Sequence, residues 1–159
     1  MNLAQKRLAL YFYEAHKHID LIDESREVLR HRMPIGSYES LNQLERFALN
    51  ALIFRFSKLQ DLIGVKIFRA YLDFGGFNIL EKSFFDILKE IEKEGIVDID
   101  TWSELRELRN KIAHEYPEEI DEMIESINLF IARSDQLVKI ARRLEEKFHE
   151  IEARRDSSD

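Results

Sequence analysis

From Ile120 to Ile151 the residues Ile120, Met123, Ile127, Phe130, Ser134, Leu137, Ala141, Leu144, Phe148 and Ile151 succeed one another in unbroken steps of three and four. At 3.6 residues per turn such steps draw one seam along one helix, and a seam of this length has to be buried against other helices. Ser134 and Ala141 are small enough to let a neighbouring helix come close. The rest of the chain offers the neighbours. Only two prolines and five glycines interrupt 159 residues, 45% are apolar and 35% are charged, a composition suited to a compact helical domain.

Punctuation and periodicity predict four further helices. The first spans about 3–32, with Leu8, Phe12, Ala15, Ile19, Ile22 and Leu29 on one stripe and Pro34 and Gly36 beyond its end. The second, about 38–72, is apolar nearly all round, which suits a helix surrounded by others. After the turn at Asp73-Phe74-Gly75-Gly76 a third runs over about 79–94 and stops at Gly95. A fourth, capped by Asp100 or Thr101, ends in the stretch RNKIAHEYP, Arg109 to Pro117. The last covers about 118–154. The fold class is all-α: an antiparallel bundle of about five helices, one domain over 1–155 with a disordered tail at 156–159.

Composition narrows the function classes. Without cysteine there is no thiol catalysis, disulfide or Cys-ligated zinc. No window approaches a membrane span and the start lacks a signal peptide, so the expectation is a soluble, cytoplasmic protein with no membrane role. The formal net charge of −7 is uneven: thirteen acidic and seven basic residues make Glu115 to Asp159 −6, whereas five basic and two acidic residues make Leu41 to Leu72 +3. Arg46, Arg55, Lys58, Lys66 and Arg69 thus offer a local basic surface to a polyanion. His16 and His18 lie two apart, about 200° around a helix, and cannot chelate one metal from one face. His31 and His149 suit a helix end and a charged face respectively. No metal site and no cofactor is expected.

RNKIAHEYP carries more chemistry. On an ideal helix Arg109 and Tyr116 share a face, while His114 lies about 140° from Arg109. Pro117 disfavours helical geometry at Tyr116, so unwinding near His114 is one way to swing the imidazole back towards the arginine. The plainer alternative stays open: Arg109 and His114 as cations complementing a helix C-terminus, with Tyr116 as packing.

The spacing Arg109, four residues, His114, one residue, Tyr116 reproduces R-x4-H-x-Y, and the stretch resembles the HEPN superfamily, in particular the HepT-type proteins associated with minimal nucleotidyltransferases. Asn110 after the arginine fits, as does the upstream EKEGIVDIDTWSELRELRN. LIFRFSKLQD, Leu52 to Asp61, is similar to the second helix of nucleotidyltransferase-associated relatives. The resemblance implies a metal-independent endoribonuclease toxin, in a type VII-like toxin–antitoxin pair with a minimal nucleotidyltransferase antitoxin. It further implies a homodimer placing two motifs in one cleft.

On that reading His114 is the general acid/base, Arg109 stabilises the phosphate charge and Asn110 supports them. Lys111, Arg55 and Lys58 hold RNA, and Tyr116 accepts AMP from the partner. Two alternatives accompany it. One is a non-catalytic substrate-binding subunit of a minimal nucleotidyltransferase, to which LIFRFSKLQD and Trp102 lean. The other is a scaffold bundle with no site.

Overall fold

The computed structural model describes residues 2–115 and 120–158, and it is all-helical there. In chain order the elements are α1 (Leu3–Leu29), α2 (Gln43–Asp61), a π-helical segment (Leu62–Ile67), α3 (Phe68–Phe74), α4 (Phe84–Lys93), α5 (Ile99–Glu115) and α6 (Ile124–Ser157). Because α2, the π segment and α3 follow without a break, the bundle has five rods, as the periodicity predicts. α1 and α2 form the most extensive pair; α6 packs on α1, α2 and α5, and α4 on α3 and α5. The expected core stripes are buried, from Leu8 to Leu29 on α1 and from Ile127 to Phe148 on α6. Ser134 does admit a neighbour: Arg26 of α1 donates from Nη1 to its Oγ at 2.7 Å and to the Ile131 carbonyl at 3.0 Å.

Boundaries depart from expectation at the helix caps. α2 begins at Gln43 rather than near Tyr38, because Asn42 and Glu45 exchange hydrogen bonds in a capping box. Tyr38–Ser40 is only a 3-10 turn. α4 begins at Phe84 rather than Ile79: Glu81 has φ +61, outside helical space, and Ser83 with Asp86 forms the cap. α5 is capped by neither Asp100 nor Thr101; the Asp98 carboxylate accepts from the Thr101 amide at 2.6 Å. That bond holds the Asp98 carboxyl below the usual carboxylate range. Gly95, at φ +73, ends α4 as expected.

The largest surprise is the π segment. A π turn inserts one extra residue into a helix, which rotates everything after it. Here it resets the residues that follow, so that Ile67, Phe68, Tyr71 and Leu72 turn inward on a rod that already buries Gln60 before it.

Candidate functional site

α5 lies beside the C-terminal part of α2 and the π segment, and its sequence sorts onto three faces. Leu105, Leu108 and Ile112 enter the core. Trp102, Arg106 and Arg109, at i, i+4 and i+7, share a second face. With Gln60, Asp61, Gly64, Val65, Arg69 and Phe84 they line a cavity of about 310 Å³. Asn110, Lys111 and His114 form part of the third face, which is exposed.

The cavity floor is tightly built. Gly64 carries no side chain where a Cβ would meet Trp102 Cζ2 at 2.9 Å, so the indole lies directly on the π-segment backbone. Phe68 packs on the same indole, with ring centroids 4.9 Å apart. Three arginines stand over this floor against one carboxylate. Arg109 Nη2 donates to Asp61 Oδ2 at 3.1 Å, Arg69 Nη2 donates to the Lys82 carbonyl at 3.1 Å, and Arg106 lies 5.8 Å from the centroid of the Phe84 ring.

Four buried polar atoms around the cavity have no hydrogen-bond partner: both amide atoms of Gln60, the Trp102 indole nitrogen and Arg109 Nε. Buried polar groups are nearly always paired, so a cluster of four around one space is unusual. Its effect is to leave donor and acceptor capacity beside the cavity unused.

The motif itself is divided. Arg109 is largely buried and faces the cavity, while His114 is exposed. The backbone stays α-helical through His114, so no unwinding there swings the imidazole back. The two side chains leave the axis about 140° apart and about 7.5 Å apart along it. Tyr116, the expected AMP acceptor, lies outside the described residues.

Arg55 and Lys58, on α2, both reach the exposed Phe54, their cationic groups 5.3 and 5.4 Å from its ring centroid. Lys58 is exposed, but Arg55 is partly engaged: its Nη1 donates to His18 Nδ1 at 3.3 Å. His18 is buried, and burial first, then the Arg55 charge, pulls its pKa below the ordinary imidazole value. His16 turns to Glu145 instead, at 2.8 Å, so the two histidines serve different partners.

Gln60, Asp61, Phe84 and Arg106 are cavity residues beyond those singled out from the sequence, where Arg69 figures only in the basic surface. A signal existed for Arg106, since Trp102, Arg106 and Arg109 repeat at helical spacing. Gln60 and Asp61 close the quoted LIFRFSKLQD, but nothing local marks them as facing α5.

Comparison with protein-family models, with curated proteins and with solved structures finds no match.

Proposed function

We propose that this chain is an endoribonuclease of the HEPN type, acting as a toxin, that cleaves RNA without a metal ion through Arg109 and His114. The observation that carries the reading is Arg109 itself, a largely buried guanidinium at a cavity it shares with Arg69 and Arg106. Such a cation, restrained by Asp61 and free to exchange that carboxylate for a phosphate, is suited to charge developing on phosphorus. The chemistry starts when one His114 takes the proton from a ribose 2′-OH, whose oxygen attacks phosphorus. A second His114, protonated, gives its proton to the departing 5′-oxygen, leaving a 2′,3′-cyclic phosphate and a 5′-hydroxyl.

Both histidines cannot come from one chain, and within one chain His114 diverges from Arg109. A homodimer meets both requirements, because an arginine of one subunit can then face an imidazole of the other. Leu44, Phe47 and Phe54 form an exposed apolar stripe along α2, in steps of three and seven, that two copies can share. The proposed antitoxin is a minimal nucleotidyltransferase that attaches AMP to Tyr116. The added phosphate would compete for the cations that RNA needs.

A second reading, the non-catalytic partner subunit of such a nucleotidyltransferase, is favoured by the Arg109–Asp61 pair. An arginine already neutralised in the free protein, with its histidine turned elsewhere, serves binding as well as catalysis. Induced expression with and without the nucleotidyltransferase, for the parent chain, Arg109→Ala and His114→Ala, separates the two. Growth inhibition that needs both residues and is relieved by the nucleotidyltransferase supports the toxin. A chain that never inhibits growth, yet co-purifies with it, supports the partner subunit.

A further inference from the structure

The cavity between α5 and the π segment holds more recognition chemistry than phosphate stabilisation requires. Arginines alone would serve a phosphate. Gln60, only 3% exposed, adds an amide whose oxygen and nitrogen are both unpaired, and Trp102, 1% exposed, adds an unpaired indole N–H. A primary amide offers a donor and an acceptor side by side, the complement of the paired donor and acceptor on the edge of a nucleobase. Phe84, partly exposed, gives the space an aromatic wall on which a flat heterocycle stacks irrespective of sequence, above the Trp102 floor. A volume of about 310 Å³ lies at the small end for organic ligand sites, the scale of one nucleotide rather than of a longer segment.

We infer that this cavity receives one ribonucleotide, its base on Phe84 above the Trp102 floor with its edge read by the Gln60 amide, and its phosphate on Arg106 and Arg109. The amide is closed off from solvent in the cavity wall, so the guest is met by a rotation of the Gln60 side chain into the adjoining space. Asp61 is the second element of selection: it is the carboxylate that the incoming phosphate displaces from Arg109. The inference rests on the RNA-directed reading above and supplies what that reading lacks, a choice of base next to the phosphate that is attacked. The same chemistry would accept a free nucleotide, and the two sources are separable.

Trp102 is the only tryptophan in the chain, so its fluorescence reports this cavity alone. The full-length protein is titrated with AMP, GMP, CMP and UMP, with ribose 5-phosphate, with inorganic phosphate and with a short mixed-sequence oligoribonucleotide. The expected result is saturable quenching by nucleotides, with affinities for the best and worst base differing about tenfold or more, as follows when a buried polar pair goes unmatched. Gln60→Leu should bring the four affinities together, and Arg106→Gln should weaken all four alike.

Quenching by the oligoribonucleotide but by no monophosphate assigns the pocket to a base within RNA. Quenching by monophosphates alone assigns it to a free nucleotide. Absence of quenching by every probe overturns the inference. So does an equal response to ribose 5-phosphate, or a base preference that survives in Gln60→Leu. Cleavage of the oligoribonucleotide is scored in parallel. Base-selective quenching without cleavage leaves the pocket standing and removes the nuclease, whereas cleavage without quenching does the reverse.

Discussion

Arg109 and Asp61 are separated by 48 positions in the chain, yet the guanidinium Nη2 and the carboxylate Oδ2 stand 3.1 Å apart, tying α5 to the end of α2. The pair sits at a cavity mouth, with the aspartate more than half exposed. An ion pair this open to solvent adds about 1 kcal/mol or less to stability, so its more telling effect is on what else Arg109 can bind. Asp61→Asn should leave the melting temperature nearly unchanged while tightening RNA binding and steepening its dependence on salt, because one more cation is released to phosphate. Weaker RNA binding in this variant would mean that Asp61 orients the guanidinium for RNA rather than competing with it.

Gly64 has no tolerance for a side chain. A methyl group there meets the Trp102 indole at 2.9 Å, and the indole is packed on its other contacts by Phe68. Gly64→Ala should therefore cost about 1–3 kcal/mol in urea unfolding, the range for overfilling a packed core. It should also shift the Trp102 emission. An unaltered unfolding midpoint would show that the floor yields more readily than its packing implies.

Gln60 makes the opposite case. Its amide is buried with neither atom paired, a burden of about 1–3 kcal/mol that a similar-sized apolar side chain does not carry. Gln60→Leu should raise unfolding stability by about 1 kcal/mol even though it removes a polar residue. Destabilisation would reveal that the amide finds partners in solution.

How far this arrangement can be read from sequence depends on whether the cause is local. The α6 seam and the apolar stripe of α1 are set by spacing within one helix, so the all-α bundle follows from them directly. The placement of Arg106 and Arg109 is half legible: their spacing from Trp102 puts all three on one face, but which element lies opposite is a tertiary fact. The π segment has no signature in Leu62–Ile67 that distinguishes it from an ordinary helical turn, yet it sets which way Phe68, Tyr71 and Leu72 face. His114 is half legible in the same way. Pro117 places the helix end near His114, and α5 is helical to Glu115; what spacing alone does not settle is that His114 stays on the exposed face of that last turn.

His18 and Arg55 form a pH-sensitive joint between α1 and α2. Arg55 donates to Nδ1, so this nitrogen must be unprotonated, and burial followed by the Arg55 charge depresses the pKa against the opposing pull of Glu14. In the unfolded chain His18 binds a proton near its ordinary pKa of about 6.5, so the joint's stabilisation is complete above that pH. It is lost as pH falls through the lower folded value. NMR titration should find His18 below the ordinary imidazole value, and Arg55→Met should move it upward. An unmoved titration would detach Arg55 from His18 and return it wholly to the basic surface beside Phe54 and Lys58.

Metal-independent cleavage of RNA by paired copies of Arg109 and His114, as proposed, is read most directly from the products of RNA incubated with the purified protein in EDTA. Cleavage should persist in the chelator and leave 2′,3′-cyclic phosphate ends. The rate should fall about 10²-fold or more in His114→Ala and in Arg109→Ala, the scale of losing an acid/base or a phosphate-stabilising cation. RNA left intact by the parent protein, or cut equally well by both variants, would contradict the proposal.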